Sequence, residues 1–330
     1  MVSRHLSIQG AREAIRTREQ LRDEGWSDRA IRRAIDSGHI RRLQRNRYVL
    51  QSLWNELWSE SRHLLEVVAV REEMRDGGGV LSYVSAGAAH GMPLYRHVPT
   101  RVHATFAPPA RSGSRPGLIR HCEPLPDDDV EIRDGVPCTT LARTTFDLVR
   151  VVPRETAVAF ADAVLREVAM EDRLYDLDAA ERWRRGMLER VERARGARGI
   201  RQAEDVINFA DGRAEPPGES VTRLHLHRLG FRQFGLQVPV RGPRGTDYFV
   251  DLEIEEQSTF VEFDGQAKYR DEALRSGRSL EEVLLREKRR EDWIRGVTQK
   301  RFVRVEDPHI VTSNALAARL AGFGIHLPSL

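Results

Sequence analysis

Lysine is nearly missing from this chain. Of 53 Lys plus Arg residues in 330, lysine stands only at 268, 288 and 300, and the remaining 50 are arginine. G+C-rich codons account for most of that bias, but not for three retained lysines that all fall in the last quarter of the sequence. Cysteine is equally scarce. Cys122 and Cys138 are too few for a zinc cage or a disulfide framework and suit a reducing compartment. No apolar run approaches the roughly 20 residues of a membrane span, and the opening MVSRHLSIQG lacks a signal-peptide core. These absences predict a cytosolic (cytoplasmic) protein without membrane contact.

What is present is enough for several cores. With 40% hydrophobic residues in 330, and domains commonly of about 100–150 residues, more than one domain is expected. The formal net charge is only +3 against 31% charged residues, so the basic side chains act through clustering and not through their total.

The first segment, residues 1–52, reads as helix, turn, helix and hairpin. Thr17 is an N-cap with Gln20 three residues on, Gly25 ends the helix, and Ser27 caps a second helix that stops at Gly38. Ala30, Ile31, Ala34 and Ile35 form an apolar stripe that leaves Arg29, Arg32 and Arg33 outward. The stretch HIRRLQRNRYVL then bends near Asn46, with arginines at 41, 42, 45 and 47 lining it. This is the pattern of a winged helix-turn-helix, and Arg29, Arg32, Arg33, Arg42, Arg45 and Arg47 are its candidate DNA contacts. The series Thr17, Arg18, Leu21, Gly25, Ser27, Ile31, Arg32, Arg33 resembles the N-terminal domain of the AbiEi antitoxin family. Residues 53–210 are expected to be an α+β scaffold or interaction domain. In it TRVHATFAP alternates as a strand, Asp134–Gly135 marks a tight turn, and PCTTLARTTFDLVRVV and PRETAVAFADAVLREVAM read as helices. Its segment SYVSAGAAHGMPL resembles the AbiEi middle region. The histidines at 90, 97, 103 and 121 show no metal-ligand spacing, and the basic helix at 181–199 reads as a solvated face.

A Gly/Pro-dense boundary, DGRAEPPGES at 211–220, opens the third segment, residues 211–330. Here DYFVDLEI and TFVEFDG form a hairpin whose register places Asp251 directly opposite Glu262. Val250, Leu252, Ile254, Val261 and Phe263 then share one face, and Asp251, Glu262 and Asp264 the other, with Phe249 and Phe260 beside the acids. Opposed side chains lie about 4.5–5.5 Å apart at Cβ, where like charges repel. Either water screens them or a divalent cation sits among them. The helix SLEEVLLREKRREDWIR carries a Ser279/Glu282 capping box. Its apolar positions 280, 283, 284 and 294 bring Glu287, Glu291 and Lys288 towards the acids. Lys268 follows the second strand, while Lys300 is left as a neutral comparison.

Phosphodiester hydrolysis supplies a chemical reason for such a set. Mg²⁺ or Mn²⁺ wants hard carboxylate oxygens, and a compact ammonium can orient the attacking water. The residues Glu219, Asp251, Glu262, Asp264, Lys268 and the run REKRRED at 286–292 resemble the PD-(D/E)XK nuclease superfamily and its Vsr-like branch. That resemblance implies a C-terminal restriction-endonuclease-like αβα domain with Asp251, Glu262 and Asp264 as metal ligands. Glu219 would serve a second metal or a water, with Lys268, or Lys288 in second place, polarising the nucleophile. The superfamily's Glu-x-Lys motif has Asp264 at its third place here. The expected fold is thus a multi-domain α/β chain, and the expected activity is metal-dependent cleavage of duplex or structured DNA. The rival reading is an antitoxin-like DNA-binding regulator whose nuclease fold is a scaffold. RGPRG at 241–245 is a turn and not a phosphate loop, no small organic cofactor is expected, and a homodimer is left open.

Overall fold

The computed structural model describes residues 5–74, 79–108, 113–172, 174–265, 277 and 279–328; of residues 114 and 244 it describes the backbone alone. They fall into two compact units. One comprises residues up to Phe160 together with Arg182–Asn208, the other Ala161–Glu181 together with residues from Phe209 onward. Each is taken in turn.

The first unit starts with helix α1 (Ile8–Ala14) and strand β1 (Arg16–Thr17), followed by α2 (Arg18–Asp23) and α3 (Asp28–Asp36). Strands β2 (Ile40–Gln44) and β3 (Arg47–Leu50) complete a three-stranded antiparallel sheet in the order β1-β3-β2. The caps are those the residue types dictate. Thr17 and Gln20 form a reciprocal capping box, and the Ser27 hydroxyl accepts from the Ala30 N–H. Gly25 sits at φ +90°, left-handed backbone that a side chain would strain, and so turns the chain between α2 and α3. Leu21, Ile31, Ala34, Ile40 and Tyr48 bury together, so the stripe on α3 is the packed side. Helix α1 has no counterpart in the sequence reading. Its Ser7 cap and buried Ile8 and Ala11 become intelligible only once they dock on a larger core.

That core is built by α4 (Gln51–Glu56), α5 (Ser59–Arg71), β4 (Val80–Leu81), α6 (Tyr83–Ala89), β5 (Val102–Phe106), β6 (Gly113–Arg115), β7 (Leu118–Cys122), β8 (Val130–Arg133) and β9 (Val136–Thr139). The strands make a mixed six-stranded sheet in the order β6-β7-β5-β4-β9-β8. Asp134 (φ 46°) and Gly135 (φ 75°) form the expected tight turn between β8 and β9. One expectation is corrected: Pro137–Thr139 belongs to β9, and helix α7 (Leu141–Val149) begins only after the Thr140 cap. Val136 and Thr139 are β-branched and favour the strand that pairs between β4 and the edge strand β8. Helices α8 (Arg154–Ala169), α9 (Leu177–Arg193) and α10 (Ile200–Phe209) follow; the division between the units falls within the first two and near the end of the third.

The second unit contains the pair β10 (Met170–Glu171) and β11 (Leu174–Tyr175), helix α11 (Pro217–Arg228), and β12 (Phe234–Arg241), β13 (Asp247–Ile254) and β14 (Thr259–Phe263). Helix α12 (Leu280–Thr298), β15 (Arg301–Val305) and α13 (Ser313–Ala321) complete it. The sheet order is β12-β13-β14-β15, antiparallel except for the parallel pair β14–β15, whose crossover contains α12. The hairpin register is the one read from the sequence, with Leu252 facing Val261, Glu253 facing Phe260 and Ile254 facing Thr259. Gly218 lets α11 lie directly on Phe263, since a Cβ there would meet that ring at 2.2 Å. Arg223 Nη2 on α11 contacts both oxygens of buried Asp162 at 2.9 and 3.0 Å, which ties the second half of α8 to α11. Among the described residues no helix is long and apolar enough to cross a membrane.

Candidate nucleic-acid interface and the buried acidic cluster

At the N-terminal site, Asp28 opens α3 and is held between Arg18 (3.1 Å) and Arg22 (2.8 Å), which fixes the bend between α2 and α3. The hydrogen bond from Arg22 keeps the Asp28 carboxyl below its ordinary value. Arg29, Arg32 and Arg33 lie three and four residues apart on α3, all exposed, opposite the buried Ile31 and Ala34. Arg45 is exposed beside Asn46, whose φ of 59° makes the hairpin turn. Among the described residues no ion pair engages these four arginines, so their charge is available to a polyanion. The other basic side chains around the hairpin are engaged. Arg42 donates to the Gln44 carbonyl (3.3 Å), Arg47 pairs with Glu72 (3.0 Å), and Arg41 stacks 4.2 Å over Trp54.

In the second unit the acids are brought to one region, and arginine accompanies them. Glu262 is only 5% exposed, with Arg290 Nη1 2.6 Å from its Oε1 and Arg304 Nη2 3.9 Å from its Oε2. Arg290 is thus a close ion-pair partner of Oε1, which has no regular hydrogen bond among the described residues. Burial, with Asp251 adding to it and Arg290 opposing, pushes the Glu262 carboxyl up to about 7. Arg304 also pairs with Asp264 (2.9 Å), Glu291 (2.8 Å) and Glu287 (3.6 Å). Asp251 accepts from the Phe263 N–H at 2.9 Å just where the β13–β14 ladder ends. Beyond that point the expected faces part, and Val250 packs with Phe260, Phe302 and Ile294, not with Phe263. Glu219, buried on α11, accepts from the Glu215 N–H (2.9 Å) and Gln237 Nε2 (3.3 Å).

The lysines depart furthest from expectation. Lys268 lies outside the described residues. Lys288 is exposed, as are Leu280 and Leu284, because Val283 and Ile294 alone carry the buried stripe of α12. It is Lys300 that meets an acid: its ammonium pairs with buried Glu253 and lies 4.9 Å over the Phe260 ring. Phe249, expected on the face of the acids, is 48% exposed. Arg290 and Arg304, which ion-pair with the cluster, were the residues missed. Arg290 was legible only as part of REKRRED, and Arg304 only through the parallel pairing of β15 that sets it beside Glu262. A set of at least three ligand-type side chains with ligand atoms all within 4.8 Å occurs, among the described residues, at His90, Glu131 and Cys138; Asp251, Glu262 and Asp264 do not form such a set.

Two stretches of the chain match known families. Residues 17–51 match the family model described as a transcriptional regulator, AbiEi antitoxin, and residues 79–209 match that of the AbiEi antitoxin C-terminal domain. Uncharacterized proteins from two strains of Mycobacterium tuberculosis are each 37% identical over 132 residues, which is 38% of this chain and 49% of theirs. The match thus spans about half the length of these curated relatives. The free arginines of α3 and the hairpin turn fall inside residues 17–51, and the chain carries regions matching both the N-terminal and the C-terminal domains of the AbiEi antitoxins.

Proposed function

We propose that this protein is a DNA-binding transcriptional regulator of antitoxin type, in which α3 and the β2–β3 turn contact the duplex. The observation that carries this reading is the set of exposed arginines without ion-pair partners among the described residues, Arg29, Arg32, Arg33 and Arg45, within the stretch that matches an antitoxin regulator. Phosphate contacts from such a face set position and most of the affinity. In the C-terminal unit Glu262, Asp264 and Glu291 are already ion-paired with Arg290 and Arg304, as suits a structural scaffold. Fluorescence anisotropy with labelled duplex tests the proposal. Replacing Arg32 and Arg33 together by alanine should weaken binding by about tenfold or more at moderate salt, and unchanged affinity would refute it.

A second reading, a Mg²⁺- or Mn²⁺-dependent endonuclease, draws on one observation: the Glu262 oxygen that lacks a hydrogen-bond partner beside Asp251. Asp251, Glu262 and Asp264 would hold the cation after Arg290 and Arg304 withdraw, and the cation would supply a hydroxide and neutralise phosphoryl charge. Glu219 would bind a second cation or a water and Lys268 would face the nucleophile, with Lys288 as its alternate. Supercoiled plasmid incubated with Mg²⁺, Mn²⁺ or EDTA separates the two. Metal-dependent nicking that Glu262→Ala abolishes favours the enzyme, whereas intact plasmid favours the regulator.

A further inference from the structure

The β8–β9 hairpin brings together three side chains from positions that no linear motif connects. Glu131 and Cys138 face each other directly across the hairpin, so their side chains emerge on the same side of the sheet. His90, the residue that ends α6, approaches them from the neighbouring layer, with its Nδ1 3.9 Å from Glu131 Oε1. The histidine ring is fixed in one tautomer. Its Nε2 lies 2.8 Å from the carbonyl oxygen of Thr139, and since a carbonyl can only accept, that nitrogen carries the proton. In the neutral ring Nδ1 is then a bare lone pair, 3.9 Å from a Glu131 carboxylate oxygen and too far from it for a hydrogen bond. His90 is 8% exposed and Cys138 fully buried, so water screens the two acceptors poorly.

We propose that His90 Nδ1, the Glu131 carboxylate and Cys138 Sγ bind a divalent transition-metal cation of the zinc class, with the fourth position open on the Glu131 side. The donor set of one imidazole nitrogen, one thiolate and one carboxylate is what a borderline-soft tetrahedral ion takes. A histidine that ligates through one nitrogen commonly donates its other N–H to a backbone carbonyl, which is the part Thr139 plays. One ligand atom from each of the three residues lies within 4.8 Å of the other two, and His90 Nδ1 itself is 3.9 Å from Glu131 Oε1. Bond lengths of about 2.0–2.3 Å require ligand atoms at roughly 3.3–3.7 Å from one another, and Glu131 can bring its carboxylate in from 3.9 Å to His90 Nδ1 by side-chain rotation. Its side chain is 37% exposed, and its present ion pair with Arg133, at 3.3 Å and 44% exposed, is one that a doubly charged ion displaces readily. The site lies within residues 79–209 and is independent of the DNA-binding proposal.

The test is Co²⁺ titration of the reduced full-length protein, followed by back-titration with Zn²⁺. Wild type should take up one Co²⁺ per chain, with a thiolate-to-cobalt charge-transfer band and tetrahedral d–d bands that Zn²⁺ erases. Cys138→Ser should lose the charge-transfer band, His90→Gln and Glu131→Gln should each weaken Co²⁺ binding by at least about tenfold, and Cys122→Ser should behave as wild type. No thiolate band in wild type overturns the proposal, as does a band that survives Cys138→Ser or affinity unaltered by His90→Gln and Glu131→Gln. Should Cys138→Ser fail to fold, loss of the band in Cys122→Ser likewise overturns it and its retention assigns the sulfur to Cys138.

Discussion

Glu262 is a carboxylate in a place where charge is costly. At an ordinary value of 4.5 it would be ionised in any neutral buffer, but burial raises it to about 7 in the folded chain, with Asp251 adding to the rise and Arg290 opposing it. Between those values the folded state keeps a proton that the unfolded state has released. The stability that this protonation contributes is therefore complete below about pH 4.5 and is lost as pH rises through about 7. Glu262→Gln keeps the shape and removes the titration. Its melting temperature should fall less than that of wild type between about pH 5 and pH 8, the divergence being worth at most about 3 kcal/mol; parallel curves in a thermal scan would show the shift to be absent. Lys300 gives a second expectation at this scale. Without its ammonium, buried Glu253 loses its cation, so Lys300→Ala should cost about 1–3 kcal/mol in chemical denaturation while Lys300→Arg costs distinctly less. The residue that sequence alone makes a neutral comparison is thus the lysine with a structural task.

Among the elements, α11 depends most on a single charge. Arg223 meets Asp162 with two hydrogen bonds, covers Phe209 at 3.9 Å, and is 5% exposed. Arg223→Ala strands a buried carboxylate, which typically costs about 3–5 kcal/mol. Asp162→Asn combined with Arg223→Met should recover part of that loss in urea denaturation, because neither charge is then left alone. Asp162 itself cannot be paired with Arg223 by reading the sequence, since 61 residues separate them. The same limit runs through the whole chain. Caps at Thr17, Ser27 and Ser279, the Asp134–Gly135 turn and the β13–β14 register were all legible, because each is decided by residues within a few positions of one another. The partners of Glu262 were not, because Arg304 arrives through a parallel strand and Arg290 through the turn of a helix whose buried stripe is only Val283 and Ile294. His90, Glu131 and Cys138 converge for the same reason, across two strands and a helix end. The α3 arginines lie at the legible end: their exposure follows from helical period alone, and so the candidate DNA face was readable where the acidic cluster was readable only in part.

For the whole molecule the decisive quantity is where charge lies and not how much there is. With a formal net charge of +3, attraction to DNA through the total would be feeble, and a change of two charges anywhere should then matter equally. Two double variants distinguish placement from total. Arg32→Ala with Arg33→Ala and Arg185→Ala with Arg193→Ala each lower the formal net charge from +3 to +1, and all four side chains are exposed. The first pair comes from α3, the second from the solvated side of α9. If α3 lies against phosphates, the first variant loses up to two contacts and the slope of log K against log salt flattens by roughly 0.9 for each, about 1.8 for both. The α9 variant should keep the wild-type slope. Anisotropy titrations at several salt concentrations read both slopes on the same duplex. Equal flattening in the two variants would mean that the chain holds DNA by diffuse charge, and it would remove α3 from the interface; flattening confined to the α9 variant would move the interface to that helix.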